Sequence, residues 1–239
     1  MDMQAAERAK REAGYEAAGL VRDGMVIGLG TGSTVLYAME RLGVLVREGL
    51  SVTGVPTSFQ AAIRAREFGI PLTTLDECPV LDLAIDGADQ VDPSRRLIKG
   101  RGAAHTREKC VAAAAEQLVI VIDASKLVGW LDAPVPVEVL PFATLPVSHA
   151  VTRLGGRPVL REGSGKDGPV VTDNGHFILD CMFGRIGEPD DLEDRLTSLP
   201  GVLSCGLFTR FCEKTTVLAG DTGGNPVRRV HGKKNEKIS

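Results

Sequence analysis

The sequence predicts an α/β protein in which a doubly wound, mostly parallel sheet is followed by a smaller α+β unit. Up to about residue 122, short apolar runs alternate with segments of helical periodicity, the order expected when helices connect parallel strands. The run 80–85 is almost continuously apolar, as in a strand that is covered on both faces. From about residue 129 prolines become frequent and the elements shorten. We interpret that region as a linker and a second domain.

The first half of the chain begins with a helix, a strand and a glycine-rich turn. Alanines at helical spacing predict an amphipathic helix over residues 3–21. A strand at 25–29 then leads through the turn into a helix that ends near residue 47, and Ser58 is the predicted N-cap of the next helix. The other predicted elements of this Rossmann-like half are strand 51–55, helix 58–68, strand 70–72, strand 80–85, helix 104–117 and strand 118–122.

The second half of the chain has a different order of elements. We predict strand 137–140, helix 147–154, strand 158–161, strand 176–181, helix 190–199 and strand 202–207. This βαββαβ order is typical of a ferredoxin-like arrangement. Two more strand-like pieces follow, at 217–219 and 227–230.

Composition disfavours several classes of protein. A formal net charge of -3 offers no global basic field for nucleic acid, and we interpret the basic cluster at 228–237 as a solvated terminus. We find no apolar core of a signal peptide and no run of eighteen apolar residues, so neither a leader nor a membrane span is predicted.

The cysteines and histidines point to no metal and no disulfide. Five cysteines are an odd number without a C-x-x-C pair, and the four histidines are scattered. Neither a disulfide framework nor a protein-built metal site is therefore predicted. Free thiols fit a reducing compartment, so we expect a cytoplasmic protein.

Chemically active residues follow the central apolar strand. Asp86 and Asp89 come directly after it. Lys99 stands beside a glycine, and Glu108 lies on the next predicted helix. Ligands in such folds bind at the carboxyl ends of the strands, and carboxylates with an ammonium group there suit proton transfer. Each of these residues could instead be an ordinary cap, turn or surface residue.

The turn after the first strand, GTGST at 30–34, offers backbone amides to an anion at the start of a helix. We expect Thr34 also to cap that helix. A dinucleotide fingerprint would require glycine where Ser33 stands and an acidic residue after the second strand, and no Walker lysine follows. Binding of NAD, or of ATP through a Walker motif, is therefore disfavoured.

Several motifs occur together and in order along the chain. They are GTGST (30–34), VPTSFQA (55–61), DGAD (86–89), KGRGAAHTREK (99–109), DASK (123–126), PVEVLP (136–141), GGRPVLR (155–161), VVTDNGHFILD (170–180) and PGVLSCGLF (200–208). In this ordered set, from about residue 6 to about residue 219, the sequence resembles the ribose-5-phosphate isomerase family of the A type.

The resemblance implies an aldose-ketose isomerase of the non-oxidative pentose phosphate pathway. Such an enzyme interconverts D-ribose 5-phosphate and D-ribulose 5-phosphate through an enediolate, without a metal or other cofactor. The resemblance also implies a homodimer or homotetramer, and a return of the last two strands to the first domain. We therefore predict a Rossmann-like catalytic domain of residues 1–130 and about 208–239, and a ferredoxin-like domain of residues 131–207.

The same resemblance assigns roles to individual residues. Glu108 falls on the position of the catalytic base, with Asp86 and Asp89 opening the ring, moving hydroxyl protons or orienting hydroxyls. Lys99 offers a positive charge to the enediolate, and the amides of the following loop could form an oxyanion hole. Lys10 is a further candidate for the phosphate end. The expected substrate contacts are Thr31, Gly32, Ser33, Thr34, Gly87, Ala88, Gly100, Arg101, Gly102 and Lys126.

Two residues depart from the family pattern. Arg101 interrupts the glycines after the lysine, which is costly if the backbone there needs a positive φ, although its guanidinium could instead join the anion site. His105 stands one helical turn before Glu108, where it could tune that carboxylate or face solvent.

Two rival functions remain open on the sequence. A non-catalytic sugar-phosphate sensor would require a DNA-binding domain or partner, and about 24 residues before the first strand are too few for a helix-turn-helix module. A different sugar-phosphate isomerase would share the mechanism but not the substrate. Motifs alone do not distinguish it from a ribose-5-phosphate isomerase.

Overall fold

The computed structural model describes residues 3–165, 167–223, 225 and 227–230. Its helices are α1 (Met3–Ala18), α2 (Ser33–Arg47), α3 (Phe59–Glu67), α4 (His105–Ala114), α5 (Thr144–Arg153) and α6 (Pro189–Thr197). Its strands are β1 (Val26–Leu29), β2 (Thr53–Pro56), β3 (Leu81–Asp86), β4 (Gln90–Val91), β5 (Leu97–Ile98), β6 (Ala115–Asp123), β7 (Val135–Val139), β8 (Arg157–Leu160), β9 (Phe177–Met182), β10 (Val202–Cys205), β11 (Leu207–Phe208), β12 (Thr215–Gly220) and β13 (Arg228–Val230).

The larger sheet has six strands in the order β13-β12-β6-β3-β1-β2. All neighbours in it are parallel except β12 and β13. The chain leaves β1 toward one edge to form β2, then crosses to the other side of β1 to form β3. A topological switch point therefore lies between β1 and β3, which is where ligands bind in open α/β sheets.

Both faces of this sheet are buried, as the apolar run in β3 predicted. Leu83 and Ile85 pack on the face that α1, α2 and α3 cover. Ala84, between them, faces the opposite cluster, which includes Val111 and Ala112 of α4. Alternate residues of one strand thus serve two cores. The predicted doubly wound α/β fold is confirmed.

The smaller sheet is antiparallel, with the strand order β10-β7-β9-β8. Helices α5 and α6 contribute Val147, Val151, Leu192 and Leu196 to its core. The element order and the pairing are those of a ferredoxin-like α+β unit. The division into domains at residues 130 and 208 remains our proposal.

A third, three-stranded sheet in the order β11-β5-β4 was not predicted. Its strands are two residues long, too short for a periodic signal. The expected strand 202–207 is in fact divided at Gly206, whose amide donates to the carbonyl of Pro136 and whose carbonyl accepts from Lys99. The segment that carries Lys99 is thereby tied, through Gly206, to β7 of the smaller sheet.

Other boundaries also differ from the predictions. Strand β6 starts at Ala115, inside the predicted helix, because residues 115–117 pair with β3 and sheet pairing overrides their helix propensity. The predicted strand 70–72 is reduced to one bridge between Gly54 and Leu72. Residues 228–230 of the basic cluster form β13 and are not a free terminus, and residues 231–237 lie outside the described residues.

Within the described ranges, no helix combines the length and apolarity needed to cross a membrane.

Candidate active site

A cavity of about 590 Å³ opens at the carboxyl ends of the parallel strands. The segments that follow β1, β3 and β5, together with the last residues of β6, form most of its wall. The lining residues are 31–35, 87–89, 99–102 and 121–123, with Lys10, Gln60, Glu108 and Lys126. Residues from distant parts of the sequence therefore converge at the switch point, the position expected for a ligand site.

Lys99 lies between two carboxylates at the base of this cavity. Its ammonium nitrogen is 3.0 Å from Oδ2 of Asp86 and 3.1 Å from Oε2 of Glu108, and it donates to the carbonyl of Gly87. All three charged residues are at most 5% exposed. Oε2 of Glu108 has no hydrogen-bond partner among the described residues. It is therefore held by charge while its lone pairs remain available to accept a proton.

The environment makes Glu108 an unusually basic carboxylate. Burial raises the pKa of Glu108 to about 8, the negative charge of Asp86 adds to the rise, and the charge of Lys99 opposes it. Burial likewise raises the pKa of Asp86, again against Lys99. Although burial disfavours its charge, Lys99 has a raised pKa because both carboxylates flank it. Lys99 therefore stays cationic, and Glu108 has a basicity matched to proton abstraction near neutral pH.

Asp86 lies beneath the cavity and does not line it. A Cβ on Gly30 would come within 2.2 Å of Oδ1 of Asp86, so the first glycine of the GTGST turn makes room for this carboxylate. Oδ1 accepts hydrogen bonds from the amides of Gly87 (2.7 Å) and Thr31 (3.4 Å). Asp86 thus holds Lys99 and the turn together, whereas Asp89 faces the cavity.

The start of α2 provides amides for an anion. Gly32 takes a φ of 132° and occupies the N-cap position, and no side chain caps the helix. The expected capping by Thr34 is wrong because the helix already starts at Ser33. The first amides of a helix lack acceptors within it and carry partial positive charge. Lys10 and Lys126 line the same cavity and add charge of the same sign.

Thr31 links this turn to the start of α3. Its hydroxyl lies 2.7 Å from that of Ser58 and 3.0 Å from that of Thr57. Ser58 also accepts a hydrogen bond from the amide of Ala61, which confirms its predicted role as an N-cap. The hydroxyls arrange two neighbouring loops around the anion site.

The loop 99–102 needs glycine at one specific position. Gly100 has a φ of 104°, and a Cβ there would lie 2.8 Å from Nδ1 of His105. The positive φ falls on Gly100 and Ala103, not on Arg101. Arg101 therefore does not carry the conformational strain that a positive φ would cause. Its amide donates to Oδ2 of Asp89 at 3.0 Å, and its exposed side chain borders the cavity.

Comparison with known proteins gives a consistent result. The family model for ribose 5-phosphate isomerase A (phosphoriboisomerase A) matches residues 53–223. The ribose-5-phosphate isomerase A of Methanoregula boonei is 61% identical over 213 residues, which cover 89% of this chain and 90% of the relative. The chain belongs to the ribose 5-phosphate isomerase A family. This confirms the family predicted from the ordered motifs.

Solved structures of ribose 5-phosphate isomerase A have the same fold. The enzyme from Methanocaldococcus jannaschii has a TM-score of 0.89 and 44% identity, covering 94% of this chain and 99% of that one. A D-ribose-5-phosphate isomerase in complex with phospho-erythronic acid has a TM-score of 0.90 and 42% identity, covering 95% and 99%. The agreement extends over both larger sheets.

His105, in the family motif at the start of α4, points into the protein interior. It is fully buried, with Nε2 3.4 Å from the carbonyl of Ser204, so the alternative that it faces solvent is wrong. Burial lowers the pKa of His105 to about 4. A neutral imidazole therefore packs against Gly100 and adds no charge next to Glu108.

The cavity brings together all but one of the residues assigned from the resemblance to ribose 5-phosphate isomerase A. The exception is Asp86, which reaches the site through Lys99. Gln60 and Asp123 also line the cavity and were not predicted as site residues. Gln60 lies at the start of the helix after β2, Asp123 is the last residue of β6, and both lie in the quoted motifs, which is the signal that could have identified them. Oδ1 of Asp123 accepts from the amide of Ser125 at 3.0 Å, which starts the turn that carries Lys126.

Proposed function

We propose that the chain interconverts D-ribose 5-phosphate and D-ribulose 5-phosphate through an enediolate, with Glu108 as the general base. The observation that carries the proposal is the buried Glu108 carboxylate beside the ammonium of Lys99, in a cavity that also holds an anion site. Membership of the isomerase family supports the same reaction.

The reaction moves one carbon-bound proton and one hydroxyl proton. Glu108 takes the proton from C2 of the open-chain aldose and returns it to C1 of the enediolate, so one carboxylate serves both carbons. The charge of Lys99 and the amides of loop 99–102 stabilise the negative oxygen that develops between these steps. Asp89, which lines the cavity, is placed to move the hydroxyl proton or to help open the furanose ring.

The 5-phosphate belongs at the start of α2. The amides of Ser33 and Thr34 can donate to phosphate oxygens, and Lys126 and Lys10 supply positive charge. Binding there holds the sugar without taking part in bond breaking. These groups should therefore determine affinity more than the rate of the chemical step.

The test is conversion of ribose 5-phosphate to ribulose 5-phosphate by the purified protein in EDTA. Replacing Glu108 by Gln should lower kcat by roughly 10²- to 10⁴-fold, as loss of a general base does. Glu116→Gln, at an exposed carboxylate of β6, is the matched control and should leave kcat unchanged. A loss below about tenfold in a folded Glu108→Gln protein would remove the base assignment.

Other outcomes of this assay favour the rival functions. Binding of ribose 5-phosphate without turnover, and without effect of any metal, would favour a sugar-phosphate sensor. Turnover of a different aldose phosphate, but not of ribose 5-phosphate, would favour an isomerase of other specificity. Activity that disappears in EDTA would contradict the cofactor-free mechanism.

Three further properties are part of the proposal. We propose a homodimer or homotetramer, supported by Phe142 and Leu145, which are 98% and 65% exposed apolar side chains on the smaller domain. A cytoplasmic location is supported by the five free thiols. Light scattering on the purified protein tests the oligomeric state, and fractionation of the source cells tests the location. The two-domain division is supported by separate cores under the two larger sheets.

A further inference from the structure

Arg161 connects the smaller sheet to the proposed oxyanion loop. It directly follows β8, and its Nε and Nη2 atoms donate to the two carboxylate oxygens of Asp180 on β9, at 2.8 Å for Nε. Its remaining amino group, Nη1, donates to two carbonyls in succession, those of Gly100 and Arg101, each at 3.0 Å. A forked, bidentate pair with a carboxylate holds a guanidinium in one orientation. Asp180 therefore aims Nη1 at the loop.

These two hydrogen bonds fix the orientation of two peptide groups. In a planar trans peptide the N–H points opposite to the carbonyl. The carbonyl of Gly100 faces Arg161, and the N–H of Arg101 accordingly points the other way, to Asp89 in the cavity wall. By the same geometry the N–H of Gly102 points away from Arg161. Gly102 lines the cavity, and no described residue accepts a hydrogen bond from its amide.

The charge of Arg161 adds to the geometry. A cation that hydrogen-bonds to a peptide carbonyl polarises that peptide, which strengthens the N–H on the opposite side as a donor. The side chain of Arg161 is 16% exposed, so solvent screens this effect only in part. Fixed donors aimed at a developing negative charge are among the strongest contributions to catalysis.

We propose that Arg161 is a positioning residue for the isomerisation. Held by Asp180, it turns the two peptides between residues 100 and 102 so that the amide of Arg101 holds Asp89 and the amide of Gly102 faces the enediolate oxygen. The inference rests on the proposed function, because it names what orients the oxyanion loop of that same site. A contrasting role is that of a simple strut, in which Arg161 only joins the two sheets.

The test replaces Arg161 by Met and by Lys. Arg157→Met is the matched control, because Arg157 is an exposed arginine on the preceding strand β8 whose side chain contacts Met182, away from the loop. Lys keeps the charge but cannot form the fork with Asp180 while also reaching two carbonyls. The quantities to measure for each variant are kcat and KM for ribose 5-phosphate, the temperature of thermal unfolding, and the affinity for phospho-erythronic acid by calorimetry.

A positioning role predicts a selective loss. Arg161→Met should lower kcat about 10- to 100-fold, a smaller loss than removal of an oxyanion donor itself, while KM changes less than about threefold. The affinity for phospho-erythronic acid, which carries a charged carboxylate where the open-chain sugar carries a neutral carbonyl, should fall more than the affinity for ribose 5-phosphate. Arg161→Lys should lie between Met and wild type. A third variant, Arg161→Ala, leaves space for a small cation, and added guanidinium ion should partly restore its activity.

Two results would overturn the inference. A kcat within about twofold of wild type in the folded Met variant would show that the loop does not depend on Arg161. Equal losses of affinity for the acid and for ribose 5-phosphate, together with lower thermal stability, would show a strut. If the Met variant does not fold, Asp180→Asn and Arg161→Lys decide by the same measurements.

The affinity measurement also separates this inference from the proposed function. Wild-type protein that binds phospho-erythronic acid without converting ribose 5-phosphate would contradict the isomerase proposal, yet the variants would still report on Arg161. Wild-type protein that neither binds the acid nor turns over the sugar would overturn both.

Discussion

The ammonium nitrogen of Lys99 lies 3.1 Å from Oε2 of Glu108, within ion-pair distance but without the alignment of a hydrogen bond. The proposed base is therefore held in place by charge while its oxygen can still accept a proton. The same ammonium lies 3.0 Å from Asp86, so one cation serves two buried carboxylates. Removal of any member of this group should affect the other two.

Loss of Lys99 should impair both the fold and the reaction. In Lys99→Met, two buried carboxylates lose their cation, and we expect a loss of about 3–5 kcal/mol in the free energy of unfolding, measured by denaturant titration. We expect kcat to fall about 10²- to 10³-fold. The double variant Lys99→Met, Glu108→Gln should regain much of the stability but none of the activity. A single variant as stable as the double would contradict the role of the ion pair.

The pH dependence of kcat/KM should report the raised pKa of Glu108. A general base acts when ionised, so activity should rise with pH through about 8, the pKa that burial and Asp86 produce. In Asp86→Asn the second of these causes is removed, so the acid limb should move to lower pH. Asp89→Asn is the matched control, because the charge of Asp89 raises the pKa of Glu108 less than the charge of Asp86 does. The acid limb of the Asp89→Asn profile should therefore move less. Equal shifts would argue against this electrostatic origin.

Lys126 should act on binding and not on the chemical step. We expect Lys126→Met to raise KM for ribose 5-phosphate about tenfold with little change in kcat, because a phosphate contact is equal in the ground and transition states. The difference from wild type should shrink as salt screens the charge. Arg157→Met removes one positive charge on another surface and should leave KM unchanged. A large fall in kcat would place Lys126 near the reacting carbons.

Two glycines of the same loop should differ sharply in tolerance to alanine. Gly100→Ala forces a side chain into a φ of 104° and within 2.8 Å of His105, and we expect a loss of about 1–3 kcal/mol in stability. At Gly102 a Cβ would meet only Thr31, at 3.9 Å, so Gly102→Ala should fold with nearly normal stability. Thermal unfolding of both variants tests this. Equal destabilisation would contradict the loop conformation.

Glu138 should stabilise the fold in a pH-dependent way. It is fully buried on β7, and although burial opposes its charge, hydrogen bonds from Thr106, Thr172 and Asn174 lower its pKa. A lowered folded-state pKa means that the stabilisation is present above the ordinary value of 4.5 and is lost as pH falls through the folded pKa. Glu138→Gln should therefore be less stable than wild type near neutral pH.

The difference between Glu138→Gln and wild type should shrink in acid, because the unfolded chain takes up a proton on Glu138 below a pH of about 4.5, whereas the native carboxylate takes it up only at a lower pH. Denaturant unfolding at about pH 7 and about pH 3 measures it. A difference that stays constant over this range would mean that shape, and not charge, accounts for the effect.

Much of the architecture could be predicted because its signals are local. Buried strands such as 80–85 are almost continuously apolar. Ser58 predicts the start of a helix because its own side chain caps the helix. Elsewhere the pairing between strands decides the secondary structure, and pairing is not a local property. Residues 115–117 have helical propensity but become strand because β3 offers backbone partners. The two-residue strands of the third sheet have no periodicity of their own and exist only through their neighbours.

By itself the sequence determined the α/β class, the family and the kinds of residue at the site, because chain order and side-chain chemistry are carried in the residues themselves. Only the tertiary structure decided that Asp86 lies beneath Lys99 while Asp89 faces the cavity. It also decided that Arg161 donates a hydrogen bond to the carbonyl of Arg101, sixty residues away in the chain. The basicity of Glu108 likewise depends on burial and on charges brought close by folding. Distances, solvent exclusion and electric fields arise between segments that are far apart in the chain, so no local pattern encodes them.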